Sequence, residues 1–402
     1  MSNVRVRDVV TNPTARSEGQ ALPYVALEHV EAHAGRLMSG TELEELTRVD
    51  TVIARPGDVL FGKLRPYLDK VVHVDEDIQC STELLVLRPN PSRVDDRFLY
   101  YLALSEPFVE WAVATSVGVK MPRTDWAALS LFEFGSLPPL GEQRNLSAKL
   151  DLECSRMNGF STELAAQHSF LDERDRVAIK RLVTGLDESG PRASEGPWWL
   201  GSTPATWTPQ KISRNFLTGS GTTPKSGDPR LYGGPHYWLN TAECRDGVVT
   251  ETAKTVTDEA LAEYSSLKFY PVGSLVVAMY GATIGKLAIL GSEMTVNQAC
   301  VVLHQPRELD TQFVYWWLWA HRAELISLGE GGGQPNISQE LIRQLVIPAP
   351  PLDDQRRIVG EIEELRHWSK RMRDASEQQA TLLAERRRAV ITAAVTGQMA
   401  VV

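Results

Sequence analysis

Leu137-Pro138-Pro139-Leu140-Gly141-Glu142-Gln143-Arg144 returns 212 residues later as Ala349-Pro350-Pro351-Leu352-Asp353-Asp354-Gln355-Arg356. Proline has no amide proton to give a helix and drives its predecessor into extended backbone, so a helix can begin only after each pair. Glu142 and Asp353-Asp354 then put negative charge at the positive end of a helix dipole. Each copy runs without insertion or deletion to the same stop, Leu182-Val183-Thr184-Gly185 and Ala394-Val395-Thr396-Gly397. The two glycines suit a left-handed C-cap. A chain of two like halves has an approximate twofold axis inside one polypeptide, and it can hold two unlike surfaces at a fixed separation.

Between start and stop the pattern is helical. Leu146, Leu150, Met157, Phe160, Leu164, Leu171, Ala178 and Leu182 recur mostly at three- and four-residue steps, with Gly159 the one glycine and no proline between Glu142 and Leu182. In the second copy Ile358, Leu365 and Met372 stand seven apart, joined by Ile362, Leu383 and Val390. Ser376, Gln379 and Arg386 interrupt the seam, which makes it an imperfect coiled coil. About 40 residues per helix gives a strut of about 60 Å. The order of parts is a first mixed domain over 1–140, a helix over 141–185, a breaker-rich linker over 186–200, a second mixed domain over 201–350 and a helix over 351–402.

The repeat continues into the domains. At an offset of 216, Gly57-Asp58-Val59-Leu60-Phe61-Gly62-Lys63-Leu64-Arg65-Pro66-Tyr67-Leu68-Asp69-Lys70 lies over Gly273-Ser274-Leu275-Val276-Val277-Ala278-Met279-Tyr280-Gly281-Ala282-Thr283-Ile284-Gly285-Lys286. Strand-like residues match and the loop after them diverges. The runs Val59–Phe61, Leu84–Leu87, Leu275–Ala278 and Cys300–Leu303 read as strands, and Phe98–Leu102 and Phe313–Leu318 as the start of a buried helix in each half. The aromatic cluster Tyr315, Trp316, Trp317 and Trp319 is helical in context and belongs to a core; Trp198-Trp199 is read as anchoring the linker. Further on, Gly118-Val119-Lys120-Met121-Pro122-Arg123 takes the place of Gly332-Gly333-Gln334-Pro335-Asn336. One scaffold carries two different surfaces.

Composition narrows the classes. A length of 402 residues suits two or three domains, and 43 % hydrophobic with 23 % charged residues is the balance of a soluble globular protein. No apolar run reaches the roughly 18 residues of a membrane span, and Met1–Arg5 lacks the apolar core of a secretory signal. Cys80, Cys154, Cys244 and Cys300 have neither zinc nor disulfide spacing, so they are expected as small buried hydrophobes in a reducing cytosol. The formal charge of −9 is awkward for a nucleic-acid binder. Residues 1–140 hold 14 basic against 20 acidic groups and 201–350 hold 11 against 13. Positive charge must therefore be concentrated locally or supplied by a partner.

The paired Pro-Pro-Leu-x-x-Gln-Arg starts, the Thr-Gly stops, Leu64-Arg65-Pro66-Tyr67-Leu68, Gly281–Lys286 and Asn297-Gln298-Ala299 together resemble the specificity subunit of type I restriction–modification systems. The resemblance covers nearly the whole chain. It implies an α/β (α+β) fold: two pseudo-twofold-related target-recognition domains separated by two long antiparallel helices forming a coiled-coil spacer. It implies partners as well: double-stranded DNA, two adenine methyltransferase subunits and restriction/translocase subunits, with no membrane. S-adenosylmethionine, ATP and Mg²⁺ would sit on those partners, and the chain itself would hold no cofactor and no metal, in the cytoplasm.

Bases are distinguishable mainly at their major-groove edges, and same-face half-sites lie about 34–36 Å apart or a multiple of that. Candidate DNA contacts are Lys63, Arg65, Lys120 and Arg123 in the first domain and Tyr280, Thr283, Lys286, Gln334, Asn336 and Ser338 in the second. Arginine can bond guanine O6 and N7 together, and Gln334 and Asn336 suit adenine. Lys70 and Lys286 share one repeat position, which equally fits a structural role. Arg174, Arg176, Lys180, Arg181, Arg386, Arg387 and Arg388 are candidate docking charges on outer helix faces. Gly281–Leu287 is no phosphate loop, since Tyr280 stands where the first glycine belongs and Leu287 where a hydroxyl belongs. No catalytic residue is assigned: there is no Asn-Pro-Pro-Tyr-like tetrapeptide, and the eight histidines lack metal spacing. The rival reading is a pseudo-symmetric protein-binding scaffold that never touches DNA.

Overall fold

The β-favouring runs form the same hairpin twice. In the computed structural model, which describes residues 4–48, 50–193, 202–329 and 336–398, β1 (Val59–Gly62) pairs antiparallel with β2 (Val71–His73), Leu60 facing Val72, and with β3 (Leu84–Pro89), Leu60 facing Val86. Val10–Thr11 closes the sheet against β3. Asp96–Leu104 forms helix α1, whose residues from Phe98 onward are buried against this sheet. The long helix α2 follows over Leu140–Val183. In the second half β4 (Leu275–Ala278) pairs with β5 (Leu287–Leu290) and β6 (Cys300–His304), Val276 facing Ala288 and Val302. Helix α3 covers Thr311–Ala320 and α4 covers Leu352–Val395. The pairings of β1 with β2 and β3 recur in those of β4 with β5 and β6, in register at the offset of 216.

Tertiary contacts divide the chain into two units, Met1–Gln167 with Asp374–Val402, and His168–Arg373. Each unit therefore takes a mixed domain plus part of both long helices. Within the first unit Leu150, Cys154 and Met157 of α2 and Ile391, Ala394 and Val395 of α4 enter the core beneath α1, and Ser376 donates to Gln167 (2.7 Å). Within the second, Ile179 and Val183 of α2 and Ile358 and Ile362 of α4 enter the core beneath α3, and Ser369 donates to Asp175 (2.6 Å). As numbers rise along α2 their partners fall along α4, so the helices are antiparallel in each unit. The expected mixed α/β domains and long antiparallel helices are observed within the units. Both helices have 44 residues, about 66 Å at 1.5 Å per residue.

The duplicated motif now acquires a physical role. Gln143 is fully buried, and its side-chain amide makes three hydrogen bonds: Oε1 accepts from the N–H of Asp95 (2.8 Å), while Nε2 donates to the carbonyls of Arg93 (3.1 Å) and Pro138 (2.8 Å). Gln355 repeats this with the Asp310 N–H (2.8 Å) and the carbonyls of Glu308 (3.0 Å) and Pro350 (2.9 Å). Asp95 and Asp310 are the N-caps of α1 and α3. One buried glutamine thus fastens each spacer-helix start to the start of its domain's core helix, with three of the amide's four bonds satisfied.

Both stops close alike. Gly185 and Gly397 take φ +60° and +70°; Leu186 N–H donates to Arg181 O and Gln398 N–H to Ala393 O (each 2.9 Å), the six-to-one bond of a Schellman cap. All four cysteines are buried and free, as expected for small hydrophobes. The linker residues Trp198 and Trp199 lie outside the described residues.

Candidate nucleic-acid interface

In each unit the loop leaving the hairpin is braced by a second, later loop. Lys63 N–H donates to Glu83 O and Met279 N–H to Ala299 O; Thr124 N–H donates to Lys63 O and Ile337 N–H to Met279 O. The framework of the surface is therefore the same in both halves, and it brings together loops that are distant in sequence.

In the first unit this gathers all four predicted cations. Arg65 donates its N–H to Pro122 O (2.7 Å), and Leu64 bridges Arg123. Arg65, Lys120 and Arg123 are exposed and Lys63 is half-buried. Arg123 is steadied by Glu83 at 2.8 Å. The acidic domain thus concentrates positive charge where the two loops meet. Lys70 lies behind this surface, its ammonium on Leu27 O (2.9 Å). Beside it burial pushes the Asp69 carboxyl up, against the opposing pull of His33, whose Nδ1 is 2.6 Å away.

In the second unit the predicted residues separate into two groups. Tyr280 is exposed at the head of a short turn over Gly281–Thr283, with Thr283 half-buried behind it. Lys286 is held by Asp246 (3.1 Å), which also receives Arg322 (2.5 Å) and the Leu287 N–H (3.1 Å), so its ammonium braces the hairpin. Asn336 is exposed. Ser338 is the N-cap of the helix Gln339–Gln344, its hydroxyl accepting from Leu341 N–H (3.0 Å). Gln334 lies outside the described residues.

The seven helix cations do not share one outer face. Arg387 is buried and donates to the carbonyls of His33 (3.1 Å) and Ala34 (2.9 Å), because the first domain packs over that turn. Arg174 reaches Asp175 and Ser369 and stacks 4.2 Å over Trp368. Lys180 pairs with Glu324 (2.6 Å), Arg181 with Asp187 and Arg176 with Glu173 (3.4 Å). Arg386 lines an open groove of about 800 Å³ between the helices of the first unit, with Phe160, Leu164, Leu382 and Leu383.

The aromatic cluster is core: Tyr315 and Trp317 are buried, and Trp316 and Trp319 pack against the same cluster. Sequence patterning missed the apolar tip at Val117, Val119 and Met121, all exposed. Its signal was three alternating apolar residues beside a glycine and a proline. Among the described residues no group of three or more His, Cys, Asp or Glu side chains could hold a metal, and no helix is long and apolar enough to cross a membrane.

Residues 206–367 match the family model for the type I restriction modification DNA specificity domain. Over 130 residues the chain is 28 % identical to the specificity subunit of type I restriction enzyme EcoDI of Escherichia coli, taking in 32 % of this chain and only 28 % of that protein's length. Over 387 residues it is 20 % identical to the MjaVIII specificity subunit of Methanocaldococcus jannaschii, covering 89 % of this chain and 82 % of that one. A chain solved in work on complex assembly and conformational transition of a type I restriction–modification system is similar in fold, with a TM-score of 0.76 at 19 % identity over 99 % of this chain and 98 % of that one. The HsdS subunit of Thermoanaerobacter tengcongensis gives a TM-score of 0.57 at 19 % identity over 99 % and 97 %. Residues 206–367 thus match the specificity-domain model, and the chain as a whole is similar in fold to type I restriction–modification specificity subunits.

Proposed function

We propose that the chain reads a bipartite site on double-stranded DNA, one half with each domain, and performs no chemistry itself. Adenine methylation belongs to two methyltransferase subunits docked on its helices, and cleavage to restriction/translocase subunits. S-adenosylmethionine, ATP and Mg²⁺ act on those partners, in the cytoplasm. The observation that carries this reading is the hairpin frame, duplicated to the register, with unlike loops braced on it. A scaffold for two identical partners has no reason to keep a frame and diversify only its exposed loops.

The chemistry of the loops fits base and phosphate recognition. Arg65 can span guanine O6 and N7, Asn336 and Gln334 can span adenine N6 and N7, and Lys120 can neutralise a phosphate. Lys286 serves the frame first. The groove lined by Phe160, Leu382 and Arg386 supplies an apolar, partly charged surface on the helices for a protein partner. Because the chain is net acidic, it should bind DNA weakly alone and tightly only with partners that add positive charge.

The test is co-expression with the cognate methyltransferase subunit, followed by single-molecule sequencing of genomic DNA. A split motif carrying methyladenine is expected only when both genes are present. An unchanged methylation pattern, with the two proteins still co-purifying, would favour the scaffold reading.

A further inference from the structure

The segment Val117–Arg123 closes on itself. Val117 and Arg123 exchange both backbone hydrogen bonds (2.9 and 3.0 Å). Gly118 has φ +109°, and a Cβ there would meet Met121 O at 3.1 Å, so the turn needs glycine. Through Pro122 and Thr124 it is pinned to Arg65 and Lys63. It is a short braced ribbon, and it holds its apolar side chains outward: Val117 is 80 % exposed, Val119 104 % and Met121 57 %. Folding alone gives no reason to hold three apolar side chains in water on a fixed turn.

Lys120 stands between Val119 and Met121, and Lys63, Arg65 and Arg123, the last paired with Glu83, lie at the base of the ribbon. Apolar side chains beside cations match a polyanion that carries apolar points at known positions. In the major groove of DNA the apolar feature of the base edges is the C5-methyl of thymine, and the groove, about 12 Å wide, admits a two-stranded ribbon. Phosphates on either side would take the cations.

We propose that Val119 and Met121 enter the major groove and read thymine methyl groups in the half-site of the first unit. This rests on the DNA-reading function above and names the group that is read. The corresponding stretch of the second half, Gly331-Gly332-Gly333-Gln334, has no apolar side chain, so methyl reading belongs to one half-site only.

The test uses the subunit assembled with its methyltransferase partner and duplexes carrying its methylated motif. Each thymine of the half-site assigned to the first unit is replaced in turn by deoxyuridine, which removes the methyl and keeps every hydrogen-bonding group. At least one replacement should weaken wild-type binding about fourfold, the worth of one buried methyl-sized group. The V119S/M121S variant should lose a similar factor on thymine DNA and be indifferent to that uridine, with an unchanged melting temperature because both side chains are exposed. Thymines of the other half-site should show no such coupling. Three results would overturn the proposal: no uridine penalty in the first half-site, a penalty that V119S/M121S keeps in full, or loss of methyltransferase assembly in that variant, as a protein-contact tip would show. Absence of any methylated split motif would instead remove the DNA-reading function beneath it.

Discussion

The two hairpins follow one backbone path and differ in what occupies its two left-handed positions. In the first unit these are Arg65 (φ +51°) and Asp69 (φ +35°); their duplicates are Gly281 (φ +81°) and Gly285 (φ +73°). Glycine adopts that region freely, whereas a residue with a Cβ is strained there by about 1–2 kcal/mol. The first copy keeps an exposed guanidinium at the first of these positions despite this. Strain of that kind is retained where the side chain has work that another position cannot do. The helices teach a similar lesson. Asp175 of α2 and Arg387 of α4 share one repeat position, yet Asp175 anchors Ser369, Arg174 and Arg373 within the second unit while Arg387 secures the His33–Ala34 turn within the first. Frame contacts are repeated; contacts made by what the frame carries are not.

The largest effect should come from the part that is shared. Q143A or Q355A removes three hydrogen bonds and strands an N–H and two carbonyls in the interior, at a cost of about 3 kcal/mol. Calorimetry should find the two losses alike, each in the transition of its own unit. A loss confined to one glutamine would break the equivalence of the clamps.

Next comes the part that is not shared. Burial raises the Asp175 carboxyl, but hydrogen bonds from Ser369, Arg174 and Arg373 outweigh it and hold the group below its ordinary value. Its stabilisation is therefore complete above the unfolded carboxylate range near pH 4 and is lost as pH falls through the lower folded value. D175N should cost about 2 kcal/mol at pH 7 and flatten the loss of stability below about pH 4. An acid melting profile parallel to wild type would assign the acid sensitivity elsewhere.

The smallest change in stability, and the most telling one, is R65G. Relief of the left-handed arginine should stabilise the first unit by about 1 kcal/mol while DNA binding by the assembled complex falls at least tenfold. Loss of both stability and binding would make Arg65 a frame residue like Lys286.

Much of this was legible in the sequence. The strands, the core helices, the helix caps and the buried cysteines follow from local patterns that the tertiary structure leaves intact. The glutamine was visible as a repeated letter, but its role depends on carbonyls nearly fifty residues upstream. Lys286 and Ser338 looked available for a ligand because nothing local announces Asp246 or the helix that Ser338 caps. Arg387 looked like an outer charge because helical periodicity does not say which domain covers a turn. The Val117–Met121 tip escaped because apolar residues are assigned to the interior by default, and only the braced hairpin turns them outward.

The central claim is that exposed loops on a duplicated frame decide what is read. Its most direct test replaces residues 63–70 and 116–124 alone with those of a type I specificity subunit of known motif and sequences the methylated DNA made with the methyltransferase partner. A new sequence in one half of the motif, with the other half and the gap unchanged, is the predicted result. Alteration of both halves, or of the gap, would contradict it.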